Sequence, residues 1–457
     1  MNTKIKFGTD GFRGIMGKTF TPKTVETIVK AIAQYMFCGN VIIGYDPRHD
    51  ADKYARQAAE ILAEYGFDVI LSNRVVPTPV VAYQALITKK CAGALMFTAS
   101  HNPKEYLGIK FIPSYGGPAT EEITNEIEEI IQNGTFTLEK REGSAVQKDF
   151  SFDYFRRIDE LIDFEIIKNN PPKIIYDGLF SASIGYFDTI LKNHNIEFEI
   201  YNDRHDPDFG GFLPEPKKEF LLHSKVNHIT FANDGDADRY GVLDENGNWV
   251  SPNIIMAILL KYLKEKGKEG AVVKTAGVSQ IVEIVANKLE IPVIETPVGF
   301  KWIGAKMREN KTILGGEDSG GLSIGEHISE KDGIFANLLI MEAVSKTGKS
   351  LVELEKEILE FAGVELFQDR VDIKLESDDI KNEIIYKISK EEMFGKDEIV
   401  KKSDLDGIKL YLNSDYTQIL IRKSGTEPLL RFYIESASKS KINFLKEFIK
   451  GYAFVAG

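Results

Sequence analysis

Four short loops in this 457-residue chain carry side chains whose types and spacing suit chemistry on an anion. In "TASHNPKEYLGIK" (98–110), Ser100 lies in a polar turn just after the apolar run "CAGALMF", with His101 and Asn102 beside it and Lys110 further on. In "NDGDADR" (233–239), Asp234, Asp236 and Asp238 stand at alternate positions. Three carboxylates this close repel one another unless a cation neutralises them, and hard divalent ions such as Mg²⁺ prefer oxygen ligands of this kind. "GGEDSGG" (315–321) offers Glu317 and Ser319 in a glycine-rich turn suited to hydrogen bonds with hydroxyl groups. "RKSGTEP" (422–428) gathers Arg422, Ser424 and Thr426 around Gly425. Hydroxyls, close backbone N–H groups and a guanidinium that grips two oxygens are what a phosphate dianion needs. Arg13, in "FGTDGFRG", is a further candidate anion contact.

Three commoner readings of these loops fail on particular residues. A calcium EF-hand starting at Asp234 would have Glu245 at its twelfth position, but the sixth, which needs glycine for a sharp turn, is Arg239. Its flanks "HITFA" and "GVLDENGNWV" read as strands with an Asn-Gly hairpin turn, not as helices. Ser100 is not in a nucleophile elbow: its neighbours are Ala99, His101 and Asn102, with Asn102 where G-x-S-x-G places its second glycine. "GIMGKT" (14–19) is not a P-loop, since the first glycine of G-x-x-x-x-G-K-[ST] is Phe12. A serine that carries a phosphoryl group remains, because phosphoryl transfer depends on positioning and on neutralising charge over the equatorial oxygens.

The elements that must position these loops repeat. "VIIGYD" (41–46), "ADKYARQAAEILAEYG" and "FDVILS" read as strand, helix and strand. "KIIYDG" (173–178), "SASIGYFDTILKNHN" and "IEFEIY" give the same order, as do "AVVKTAG" (271–277), "VSQIVEIVANKLE" and "IPVIET". The connections are long enough for parallel, right-handed crossovers. Each unit continues to one more apolar strand, and those strands run into "TASHNP", "NDGDADR" and "GGEDSGG". In open α/β sheets ligands gather outside the carboxyl ends of strands, so the three loops are expected to face one cleft. From about residue 369 the pattern changes to charged helical stretches and paired strand-like runs, a smaller α+β domain. The expected division is 1–143, 144–250, 251–366 and 367–457, in keeping with about 100–200 residues per domain.

Composition bounds the partners. The chain is 43% hydrophobic and 28% charged, and 57 Lys and Arg against 69 Asp and Glu give a net charge of −12. That balance predicts a folded protein without a broad grip on nucleic acid. Two cysteines, Cys38 and Cys91, exclude a disulfide framework and fit a reducing cytosol. The start "MNTKIKFGTD" has no apolar leader, and no apolar run approaches the roughly 18 residues of a membrane span, so a cytoplasmic location is expected.

The four loops in this order, with "FGTDGFRG" ahead of them, resemble the α-D-phosphohexomutase superfamily of phosphoglucomutases, phosphomannomutases and phosphoglucosamine mutases. The resemblance spans essentially the whole chain. It implies three related α/β domains with mixed sheets and a C-terminal TATA-binding-protein-like α+β domain around a central cleft. It makes Ser100 the phosphoserine, and Asp234, Asp236 and Asp238 the ligands of Mg²⁺ together with a phosphoserine oxygen. Arg13, Lys110 and Arg239 match positions that steady the transferred phosphoryl group, and His101 one that orients the serine. Glu317 and Ser319 match the sugar-hydroxyl loop, and Arg422, Ser424, Gly425 and Thr426 the loop that holds the unreacting phosphate. Lys274, in "VVKTAG", matches a lysine proposed as general acid or base. "TPVGFKWIG" and "HISEKDG" look like phosphoglucomutase segments, making Lys301 and Lys331 substrate contacts.

The implied reaction interconverts glucose 1-phosphate and glucose 6-phosphate through glucose 1,6-bisphosphate, which also serves as activator. Phosphomannomutase or dual activity is the first alternative, and phosphoglucosamine mutase ranks behind it. Many dual-specificity members end the sugar loop in histidine, as in G-E-M-S-G-H, and phosphoglucosamine mutases usually read G-E-Q-S-G-H, whereas this chain has Gly321 there. A phosphatase would share the serine and the metal but release phosphate to water, and a binding protein would keep the ligand loops without turnover.

Overall fold

The structure, a computed structural model, describes residues 5–8, 10–375, 377–423 and 429–455. Ser424, Gly425 and Thr426 of the expected phosphate loop lie outside the described residues.

Four sheets succeed one another along the chain. The first holds β1 (Phe12–Ile15), β2 (Asn40–Tyr45), β3 (Asp68–Ser72), β4 (Cys91–Phe97), β5 (Tyr106–Pro113) and β6 (Ser144–Lys148) in the order β1-β5-β4-β2-β3-β6. The second, β10-β9-β7-β8, is built from β7 (Ile174–Asp177), β8 (Glu199–Tyr201), β9 (Ile229–Asn233) and β10 (Tyr240–Leu243). The third, β12-β11-β13-β14, uses β11 (Ala271–Thr275), β12 (Val293–Thr296), β13 (Thr312–Gly316) and β14 (Leu322–Ile324). The fourth is antiparallel, β15-β20-β19-β18-β17-β16, from β15 (Phe367–Lys374), β16 (Met393–Phe394), β17 (Asp397–Ser403), β18 (Ile408–Leu412), β19 (Gln418–Lys423) and β20 (Leu429–Ser436). Strand β6 pairs in parallel with β3, so the first sheet extends past residue 143, where the sequence had suggested a break.

The three α/β units share one plan. In each, the first strand lies between the second and third and is parallel to both: β2 between β3 and β4, β7 between β8 and β9, β11 between β12 and β13. The third strand then turns back into an antiparallel partner, β5, β10 or β14. "TASHNP", "DGDADR" and "EDSGG" are these three equivalent turns at the carboxyl ends of β4, β9 and β13. Apolar spacing makes the crossover helices. In Ala51–Glu64, the small residues Ala51, Ala55, Ala58 and Ala59, with Leu62, form one buried face. Helix Gly333–Thr347 is apolar nearly all round and is correspondingly buried, with Asp332 capping it by accepting from Phe335 N.

One continuous core joins the second and third units and reaches into the first through Val80, Val81 and Met96. The C-terminal domain has a separate core around Leu410, Ile419, Phe432 and Leu445. Polar bonds cross from it to the third unit, from Lys409 Nζ to Glu295 (2.9 Å), Gln280 N to Glu435 (2.9 Å) and Val298 N to Asp406 (3.0 Å). No helix among the described residues is long and apolar enough to cross a membrane.

Candidate active site

The three equivalent turns meet. Ser100 is buried at the end of β4 and adopts a left-handed backbone, φ +51°. That region disfavours a residue with a β-carbon, and its use here holds the side chain in a fixed direction. Ser100 N donates to Thr98 Oγ1 (2.8 Å), and Ser100 Oγ donates to Asp234 Oδ2 (2.9 Å), 134 residues away. His101 Nδ1 is 3.2 Å from the same hydroxyl. Burial, with the Arg239 and Arg13 guanidiniums nearby, pushes the imidazole down to about 2, so at neutral pH it is uncharged.

Asp234, Asp236 and Asp238 are fully buried, and one oxygen from each lies within 4.8 Å of the others. Burial and the other two carboxylates drive the Asp234 carboxyl far above its usual range. Burial also opposes charge on Asp236, but the Lys110 ammonium prevails and holds that carboxyl at about 2. Lys110 Nζ, reaching in from β5, is 2.8 Å from oxygens of Asp10, Asp236 and Asp238 alike. Asp236 Oδ1 and Asp238 Oδ1 are buried without a hydrogen-bond partner, an arrangement that native interiors avoid. Three converging carboxylates, two of them with an orphaned oxygen, are the donor set of a hard divalent cation, and the residues fit Mg²⁺.

Most other residues picked from sequence gather here. Strand β1 pairs with β5 and brings Arg13 to the serine turn, where its Nη1 donates to Asn102 Oδ1 (2.6 Å). Arg239 N donates to Asp234 Oδ1 (3.0 Å), while its Nε is buried and unpartnered, 4.0 Å from Asp238 Oδ1. Lys331 Nζ stands 3.2 Å from Asp238 and 3.4 Å from Asp10. The sugar-type loop docks on the aspartate turn through a bridge between Arg239 and Gly321 and through Tyr240 N donating to Gly320 O (3.0 Å). Gly320 has φ +88°, and a β-carbon there would lie 2.5 Å from Tyr240 O, so only glycine fits. Glu317 is buried and accepts from Gly299 N (3.1 Å), whereas Ser319 is exposed.

Two lysines depart from expectation. Lys274 is fully buried, with Nζ 2.6 Å from Glu295 Oε2, an oxygen that Lys409 Nζ also reaches at 2.9 Å. From β11 it shares that carboxylate with a lysine of the C-terminal domain, so an acid or base role would first have to draw its ammonium from Glu295. Lys301 Nζ is paired with Glu121 (2.8 Å) across the boundary between the first and third units, and a substrate contact would have to displace that partner. Arg422, on β19, has its Nε 2.8 Å from Asp406 Oδ2, and the same carboxylate oxygen accepts from Val298 N.

Three participants were not singled out from sequence. Asp10 lies inside "FGTDGFRG" and holds both Lys110 and Lys331, which keep its carboxyl well below the usual range despite its burial. Thr78 donates to Asp236 Oδ2 (2.6 Å) from the first unit and carries no sequence signal. Glu330 precedes Lys331; burial pushes its carboxyl up to about 8, and Oε2 has no partner.

Comparison with known proteins finds one family along the whole chain. Models of the phosphoglucomutase/phosphomannomutase family match in order: α/β/α domain I over residues 4–138, domain II over 153–247, domain III over 251–361 and the C-terminal domain over 367–451. A phosphoglucosamine mutase of Ruminiclostridium cellulolyticum is 32% identical, covering 95% of this chain and 96% of that protein. A phosphoglucosamine mutase of Clostridium botulinum (strain Langeland) is 30% identical, with 96% of each chain covered. Among solved structures, a Thermus thermophilus protein provisionally described as a phosphomannomutase superposes over the whole of both chains with TM-score 0.87 and 30% identity. Parafusin, a phosphoglucomutase of Paramecium, superposes in its open form with TM-score 0.83 and 21% identity, covering 100% of this chain and 96% of that one.

Proposed function

The chain belongs to the phosphoglucomutase/phosphomannomutase family of the α-D-phosphohexomutase superfamily and is thus an isomerase that moves a phosphoryl group, and from that premise we propose that it is a phosphoglucomutase. Its substrates on this reading are glucose 1-phosphate and glucose 6-phosphate, with glucose 1,6-bisphosphate as intermediate and activator. The observation that carries the phosphoserine assignment is the hydrogen bond from Ser100 Oγ to Asp234 inside the buried aspartate cluster.

In this mechanism the phosphate that does not react is gripped by Arg422 together with Ser424, Gly425 and Thr426. Glu317 and Ser319 receive the sugar hydroxyls. The phosphorus–oxygen bond to Ser100 Oγ breaks as a new one forms to the free sugar hydroxyl, whose proton ends on Ser100 Oγ. The bisphosphate then turns in the cleft, and its other phosphoryl group returns to Ser100. Phosphate-monoester chemistry is so slow unaided that stabilisation on the order of 20 kcal/mol is needed. No single cation supplies that, and Lys110, Arg13, Arg239 and Lys331 surround the transfer path together. Mg²⁺, held by Asp234, Asp236, Asp238 and an oxygen on Ser100, would neutralise charge on the phosphoryl oxygens. His101, uncharged, orients the serine hydroxyl.

Glucose is favoured by the pairing of Gly321 with Lys331. The aliphatic stem of Lys331 runs where a side chain at 321 would be, since a β-carbon there would fall 2.4 Å from Lys331 Cδ. A sugar loop ending in histidine, as in G-E-M-S-G-H or G-E-Q-S-G-H, would have to displace that stem. A phosphoglucosamine mutase is the second reading, supported by the full-length relatives at 30 and 32% identity.

Initial rates with glucose 1-phosphate, mannose 1-phosphate and glucosamine 1-phosphate, each with Mg²⁺ and a trace of the matching bisphosphate, decide among them. A preference for glucose that vanishes in Ser100→Ala is expected. A preference for glucosamine would transfer the assignment to the second reading, and release of inorganic phosphate without a sugar bisphosphate would mark a phosphatase.

A further inference from the structure

Arg48, just beyond β2 in "GYDPRHD", is buried with its side chain wholly out of solvent. A guanidinium has five N–H donors in a rigid planar fork, and here each has an acceptor. Nη2 donates to Ser100 O (2.6 Å) and Asn102 O (2.7 Å), and Nη1 to Pro103 O (2.9 Å) and Tyr106 O (3.1 Å). Nε donates to Asp46 Oδ2 (3.1 Å). The same carboxylate oxygen accepts from Thr98 Oγ1 (2.6 Å), whose oxygen accepts from Ser100 N (2.8 Å). Both backbone polar groups of Ser100 therefore lead back to Arg48, one directly and one through Asp46 and Thr98. The ring of Phe209, from the second unit, covers the guanidinium at 4.9 Å.

With no donor left over, this arginine is not a ligand for phosphate. Three carbonyls of the turn and the first of β5 point at a single planar group and leave that turn one arrangement, which includes the left-handed Ser100. We infer that Arg48 is the positioning residue for Ser100, fixing the turn so that Oγ meets the phosphoryl group in the same place when it gives and when it takes. This rests on Ser100 being the phosphoryl carrier. A mutase visits Ser100 twice per cycle, so a loosened turn slows both transfers and lets water reach the phosphoserine, while the sugar and phosphate loops are untouched.

The test is Arg48→Lys, which keeps the charge but has too few donors, and those without the planar fork, to hold the four carbonyls. Rapid quench would measure phosphorylation of Ser100 by glucose 1,6-bisphosphate, located by mass spectrometry, beside steady-state kinetics and Mg²⁺ affinity by calorimetry. The expected result is a fall of roughly ten- to a hundred-fold in the phosphorylation rate and in kcat, with KM and Mg²⁺ affinity within about threefold of wild type and more inorganic phosphate released per turnover. Phosphorylation at the wild-type rate, or a loss carried by KM with kcat intact, overturns the inference. A wild-type enzyme that is not phosphorylated at Ser100 would overturn the proposed function instead. Should Arg48→Lys not fold, Phe209→Leu, which uncovers the guanidinium without removing it, decides on the same measurement. A several-fold fall there supports positioning, and an unchanged rate refutes it.

Discussion

Gly321→Ala tests whether the sugar loop and Lys331 were fitted to one another. A β-carbon at 321 would lie 2.4 Å from Lys331 Cδ and 2.8 Å from Cγ, below any normal contact, so one side has to move. The glycine backbone is pinned by its bridge to Arg239 and by Glu317 N donating to Gly321 O (2.9 Å). The lysine must yield, yet only 5% of its side chain is exposed, and its ammonium is held by Asp10, Asp238 and Glu330. Crowding of this kind costs about 1–3 kcal/mol. If displacement of the ammonium is felt in the transition state, kcat/KM for glucose 1-phosphate falls by about 5- to 150-fold, at about 1.4 kcal/mol for each factor of ten. The assay is kcat/KM for the single variants Gly321→Ala and Lys331→Ala and for the double variant, with unfolding curves for all. In the Lys331→Ala background the methyl group has room, so the alanine at 321 should add almost nothing, a coupling of about 1–3 kcal/mol. Costs that simply add, or a Gly321→Ala enzyme within about twofold of wild type, would refute the argument.

Asp236→Asn removes one carboxylate charge from the cluster and should weaken Mg²⁺ binding by at least about tenfold in calorimetry; unchanged affinity would place the metal elsewhere. Chelation with EDTA should abolish turnover, and added Mg²⁺ should restore it. Glu330, pushed up to about 8 by burial, takes its charge more readily in the unfolded chain. Its contribution to stability is therefore complete below the ordinary glutamate pKa and is lost as pH rises toward 8, at up to about 1.4 kcal/mol per pH unit. Urea unfolding at pH 5, 6.5 and 8 should show Glu330→Gln gaining on wild type as pH rises, and a constant difference would exclude this. Lys274→Met should leave the rate of Ser100 phosphorylation within a few-fold of wild type while weakening the junction with the C-terminal domain, read as earlier proteolysis there. A collapse of phosphorylation would return Lys274 to the chemistry.

What the sequence disclosed and what it withheld divide along the distance between partners. The three α/β units were readable because each strand and helix states its own period, and the turns that end β4, β9 and β13 stand out by composition alone. The aspartate cluster was readable for the same reason, since its three carboxylates lie within five residues of one another. The ion pairs between units were not. Lys301 is paired with Glu121 across 180 residues, and Lys331 with Asp10 across 321, so nothing local in either stretch foretells the match. A lysine beside a recognisable motif looks the same whether it will face a phosphate or a carboxylate. Lys274 shows the consequence. Its place on a strand was right, but Glu295 on the neighbouring parallel strand and Lys409 from the C-terminal domain decide what its ammonium does. Arg48 is the converse case. It had no motif of its own to announce it, yet the turn that did stand out cannot hold its shape without a donor for each inward carbonyl. The accounting of backbone hydrogen bonds, not the search for reactive side chains, is what leads from Ser100 to it.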